Sequence, residues 1–287
     1  MYEFQKMYAD VVAPDGTVCV VYQTWVRLLR AWHARSGIEL YRPDGTRTVL
    51  IGEGAAEPPP LDAPVARCPM SLRVDGGSFE LALDEDHGGF EPGPACPGLE
   101  WSVKLGAARM RARGPGIDIA GCGYVDLVRL TRATRFLGLR ELGWGRTHAG
   151  PATLVWTALD FVDGTRWCAG AWWEGNRSQH GGVEVELDGR GRGSVVVADR
   201  PISIVPVRVI HDGDAFDRER IPALADRLVT RAIGGATHQV RWQGQATDLR
   251  SRQSGDALYE RVRFGRFRPV GLNQESTSEV ATAISAS

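Results

Sequence analysis

GCGYVDLVRLTRATRFLGLRELGWGRTH, Gly121 to His148, lies near the middle of the 287-residue chain and joins two β-rich halves. It opens on Gly121-Cys122-Gly123-Tyr124, which reads as a turn, and continues as an apolar run punctuated by arginines. It closes on Gly143-Trp144-Gly145-Arg146. A Trp between two glycines marks a strand edge where backbone comes close to a ligand or to a neighbouring strand.

Working outward, both halves carry short apolar-alternating runs separated by Asp-Gly turns. In the first half, strands are expected before and after Pro14-Asp15-Gly16, around Pro43-Asp44-Gly45, and over Leu99, Trp101, Val103 and Leu105. Residues 52–69 hold too many prolines and glycines for a central strand, so a loop is expected there, over the mouth of whatever the strands enclose. In the second half, Val162-Asp163-Gly164-Thr165 turns one strand into the next, and further strands are expected up to about Phe267. One helix interrupts this pattern, over residues 217–233, with Asp217 as its N-cap and Gly234-Gly235 as its stop. The composition of 271–287 predicts a flexible tail. The chain therefore reads as mainly β: two antiparallel barrel or sandwich domains, 1–135 and 136–270, with one late helix.

The net charge of −1 argues against general nucleic-acid binding, which needs a basic surface. No apolar run reaches the roughly 18 residues of a membrane helix. Five cysteines, an odd number without CxxC spacing, and a charged opening segment point to reduced thiols and a cytoplasmic location. The histidines show no metal-like spacing, and phosphate-loop and nucleotide motifs are absent, so neither metal nor cofactor is expected.

Nine tryptophans stand out, since each offers a broad apolar face and one donor. Tyr22, Trp25, Trp101, Trp144, Trp156, Trp167, Trp172 and Trp173 fall in the best strands and are candidates to line a pocket for a hydrophobic small molecule. Asp126, between Val125 and Leu127, is the leading acid–base candidate, because apolar surroundings raise a carboxyl pKa. It could equally accept hydrogen bonds from a turn or pair with Arg129 or Arg146. Tyr124, Arg146, His148 and Glu174 complete the candidate polar groups.

Tyr8-Ala9-Asp10 ahead of Asp15-Gly16, Gly123-Tyr124-Val125-Asp126, Trp144-Gly145-Arg146 and Leu154-Val155-Trp156 ahead of Asp163-Gly164 together resemble one family. It is the carotenoid 1,2-hydratase (hydroxyneurosporene synthase) and AttH-like superfamily of two-domain lipocalin-like proteins, which is similar in fold to tocopherol-cyclase-like proteins and lipocalin-like Diels–Alderases. The resemblance implies two lipocalin-like domains, a hydrophobic ligand in or between them, and no cofactor. The hydratases follow the Asp with His, where this chain has Leu127. That departure favours a cyclase or isomerase acting on a polyketide or terpenoid over a hydratase; a carrier is the non-enzymatic alternative. In this reading Asp126 is acid or orienter, and Tyr124 or Arg146 donates hydrogen bonds.

Overall fold

The computed structural model describes residues 3–28, 31–65, 68, 70–86, 88–175, 177–214 and 237–265. Its first half is an eight-stranded meander of β1 (Glu3–Val12), β2 (Val18–Leu28), β3 (Ala31–Tyr41), β4 (Arg47–Glu53), β5 (Ser71–Val74), β6 (Gly77–Asp86), β7 (Leu99–Gly114) and β8 (Ile117–Leu130). Antiparallel pairing of β1 with β8, from Phe4↔Leu130 to Val12↔Cys122, closes it into a barrel. Asp-Gly-Thr turns shape its hairpins: Asp15 and Asp44 accept the backbone N–H of Thr17 and Thr46 at 2.8 Å, and Gly16 and Gly45 take positive φ.

A short helix, α1 (Thr134–Leu137), leads into the second half. Here β9 (Leu139–Ala149), β10 (Ala152–Phe161), β11 (Arg166–Glu174), β12 (Arg177–Gly181), β13 (Val183–Leu187), β14 (Gly193–Val197), β15 (Arg200–Asp214), β16 (Thr237–Asp248) and β17 (Ser254–Phe264) form one sheet. Its order is β12-β11-β10-β9-β17-β16-β15-β14-β13, so its two end strands are consecutive in the chain. Gly182 alone links them, its carbonyl accepts the N–H of Ala198 beyond β14 at 2.9 Å, and β11 contacts β13 and β14, so the sheet curls into a second, barrel-like half. The two lipocalin-like barrels expected from the sequence are present. The helix expected over 217–233 and the tail over 271–287 lie outside the described residues.

The period of two explains how the barrels join. Met7, Ala9 and Val11 of β1 fill the first barrel, while Tyr8 and its outward neighbours face the second. Leu154 and Trp156 of β10 fill the second barrel, and Val155 faces the first. A shared apolar layer of Tyr8, Tyr22, Trp101, Tyr124, Trp144 and Trp173 is thereby buried between them. Arg208 of β15 binds the first barrel's turns, donating to Gly16 O at 3.0 Å and to Arg42 O, and Gln243 donates to Gly16 O at 3.1 Å. The Pro-rich loop closes one mouth of the first barrel: Trp25 Nε1 donates to Ala55 O at 2.8 Å and Gln5 Nε2 to Pro59 O at 2.6 Å.

Two local readings need correction. Gly121 and Gly123 sit inside β8 and not in a turn, because Val12 backbone and the Met110 side chain occupy the space a Cβ would need. Gly143-Trp144-Gly145 lies in a central strand, paired on both sides with β10 and β17. The body that approaches Gly145 is the ring of Trp156. Replacing Gly145 with Ala should therefore overpack the second barrel and cost about 1–3 kcal/mol in urea unfolding. Gly143→Ala, where a Cβ meets nothing nearer than Ala158 O at 4.0 Å, should be close to neutral.

Candidate functional site

Between the barrels, the outward faces of β1, β2, β7 and β8 and those of β9, β10, β11, β16 and β17 enclose a cavity of about 170 Å³. Strand register gives it two unlike ends. Phe4 pairs with Leu130, and these join Leu99, Leu139, Leu159 and Phe264 at an apolar end. Four residues along β1, Tyr8 pairs with Asp126, and here Lys6, Gln239, Arg241 and Glu260 make the wall polar.

Asp126 is the focus of the polar end. Its Oδ2 accepts the indole N–H of Trp101 at 2.9 Å and the hydroxyl of Tyr124 at 2.8 Å. Trp144 Nε1 in turn donates to Tyr124 Oη at 3.2 Å, which fixes the direction of that hydroxyl. Oδ1 is buried and has no partner. Burial pushes the Asp126 pKa up to about 7, against the pull of Trp101, Tyr124 and Lys6, so the carboxyl holds its proton to near neutrality. With both donors fixed on Oδ2, that proton belongs on Oδ1.

Arg146 and His148 share a face of β9 with Trp144 but stand behind the cavity wall. Arg146 forms a buried ion pair with Asp10 across the inter-barrel contact, and donates to Cys122 O at 3.4 Å. It also bonds His148 Nε2, which must be the acceptor because a guanidinium only donates; His148 Nδ1–H then donates to Thr153 Oγ1 at 2.8 Å. Burial, then the neighbouring Arg146 charge, holds the His148 pKa well below its ordinary value, so the imidazole is neutral. On the cavity side, Arg241 pairs with Glu260 at 2.7 Å, Gln239 donates to the same carboxylate at 2.6 Å, and the guanidinium lies 5.5 Å above the Tyr8 ring.

Of the residues singled out in the sequence, Tyr22, Trp101, Trp144, Trp167 and Asp126 line the cavity, and Tyr124 orients Asp126. The others do not line it. Trp25 points into the first barrel and Trp156 into the second. Trp172 stacks under Arg200, which also pairs with Glu174 at 2.9 Å, away from the cavity. Lys6, Tyr8, Gln239, Arg241 and Glu260 escaped sequence reasoning. Gln239, Arg241 and Gln243 do alternate with Val240 and Trp242, but a polar stripe looks the same whether it faces solvent or a partner barrel. Among the described residues, no three His, Cys, Asp or Glu side chains converge as a metal-ligand set, and no helix is long and apolar enough to cross a membrane.

No protein-family model matches the chain, and no curated protein matches it in sequence. Solved structures do match in fold. CghA aligns over 93% of this chain and 90% of its own at 12% identity, with a TM-score of 0.57. CghA with Sch210972 gives 0.56 at the same identity and coverage. An AttH candidate from Nitrosomonas europaea gives 0.51 at 14% identity, over 92% of this chain and 93% of its own. The chain has the two-barrel fold of CghA and AttH. At such identities the likeness is one of architecture, and it agrees with the superfamily resemblance on that level.

The Asp126 geometry sets a pH signature. Its folded-state pKa of about 7 lies above the ordinary carboxyl value. The stability it contributes is thus whole below about pH 4 and is lost as pH climbs to about 7, by about 4 kcal/mol in total. The unfolding free energy of Asp126→Asn relative to wild type should rise by that order between pH 4 and 8 in urea titrations. A flat difference would show that Asp126 ionises normally in the folded protein.

Proposed function

We propose that the inter-barrel cavity binds an apolar small molecule bearing an oxygen acceptor, of polyketide or terpenoid type, and promotes its cyclisation or isomerisation. The observation that carries this reading is the buried Asp126 carboxyl, bonded by Trp101 and Tyr124 on one oxygen and unpartnered on the other. Apolar walls from both barrels would hold the flexible chain folded, an effect that can reach about 7–11 kcal/mol when reacting atoms are aligned. The Oδ1 proton would bond to the substrate oxygen and draw electron density from its conjugated system. Where the proton is transferred, the carboxylate left behind keeps its two donors, and it regains the proton when the product forms. The aromatic faces of Tyr22, Trp101 and Trp144 suit a cationic intermediate. The reaction so described needs positioning and one proton, and it draws on no cofactor.

Glu260, a second carboxylate in the same wall, supports an alternative reading as a hydratase. Asp126 would protonate an alkene carbon, water would add to the cation, and Glu260 would take the proton that water releases. The sequence difference at Leu127 does not weigh against this. Leu127 points into the core of the first barrel, so an imidazole at that position in this chain would not share the cavity with Asp126.

Incubating the purified protein with a linear polyenone in ¹⁸O-labelled water separates the readings. Cyclisation gives a product of unchanged mass, hydration adds labelled water, and a carrier returns the polyenone intact. Turnover should fall as pH rises through about 7, with loss of the Asp126 proton. Asp126→Asn should lower it about 10²–10³-fold. An Asp126→Asn variant as active as wild type would remove Asp126 from the chemistry.

A further inference from the structure

Cross-strand pairing places Leu159 of β10 opposite Trp167 of β11, and both side chains line the apolar end of the cavity. Trp167 has a second role. It also lines a surface groove of about 410 Å³, whose apolar side is formed by Ala95, Cys96, Leu137, Phe161 and Val162. One indole thus stands between two spaces. One side of the groove is apolar and exposed, with Val162 72% exposed, and Asp163, Thr165 and Arg166 complete the lining. Its charged neighbours are already occupied, Arg166 with Asp160 at 3.4 Å and Asp163 with the Thr165 hydroxyl at 2.6 Å. Nothing in the groove asks for a charged ligand.

We infer that the groove is the subsite for the extended apolar tail of the cavity's ligand, and that Trp167 sets how long a tail the site accepts. This rests on the proposed function, since the occupant is the far end of the molecule whose oxygenated end meets Asp126. Leu159 of the cavity and Phe161 of the groove share one face of β10, and Trp167 lines both spaces, so the groove adjoins the apolar end of the cavity. An alkyl or polyene tail fits the apolar side of this lining.

Methyl ketones of nine, thirteen and seventeen carbons, with binding followed by native mass spectrometry, test the assignment. Trp167→Ala should improve the affinity for the seventeen-carbon ketone relative to the nine-carbon one by at least tenfold. Val162→Asp, at an exposed position that leaves the core intact, should weaken the seventeen-carbon ketone by at least tenfold and leave the nine-carbon ketone unchanged. If both variants shift all three ketones equally, the groove is not a tail subsite, while the reading of the cavity stands. If no ketone binds to the wild-type protein, the cavity reading fails and the subsite with it.

Discussion

Everything between the two barrels depends on matching buried charge across their contact. Asp10 and Arg146 come from opposite barrels, are almost completely excluded from solvent, and pair with each other. Removing one member of such a pair leaves an uncompensated buried charge, at a cost of about 3–5 kcal/mol. Arg241 repeats the theme, bonded to Glu260 within its own sheet and 3.8 Å from Glu39 of the first barrel. These contacts fix how the faces meet, and an apolar layer alone would not fix the register. Arg208, reaching the turns at Gly16 and Arg42, clamps the contact from another direction.

With the faces so aligned, a cavity remains where the packing is incomplete. Asp126 and Tyr124 alternate on β8 and project out of the first barrel, while Trp144 reaches them from the second. A carboxyl that sat on a solvated strand would be an ordinary acid. Here the second barrel takes away its water and Trp101 and Tyr124 hold one oxygen, so the other is left with a definite direction. The carboxyl and the two donors that hold it thus come from one barrel, and Trp144 and the far wall of the cavity from the other. Among the described residues, large side chains such as Trp25 and Trp156 fill the barrel interiors.

Much of the architecture was legible because strands and turns are local. Asp15-Gly16, Asp44-Gly45 and Asp163-Gly164 behave as their chemistry dictates, and the alternation of Leu99, Trp101 and Val103 reappears in β7. Asp126 stood out for a physical reason, a carboxyl among apolar neighbours. The interface did not stand out. On β16, Gln239 and Arg241 face the buried contact and Trp242 faces a barrel interior, so a stripe that would ordinarily be solvated is internal. Trp25, Trp156 and Trp172 failed as ligand contacts for the complementary reason: large aromatics also fill barrel cores, and the direction of a side chain depends on register. Gly121 and Gly123 read as a turn because a glycine that admits a neighbouring backbone or side chain looks in sequence like one that makes a turn.

β1 has both faces covered, one by its own barrel and the other by strands from the far half of the chain. During synthesis it leaves the ribosome well before β16 and β17, the strands that complete the cover of its outer face. A nascent or truncated first barrel would therefore show water a sticky surface of Tyr8, Tyr22, Trp101 and Tyr124, with the Asp10 carboxylate unmatched among them. An exposed apolar surface of that kind favours aggregation, and β1 is fully covered only once β16 and β17 are in place.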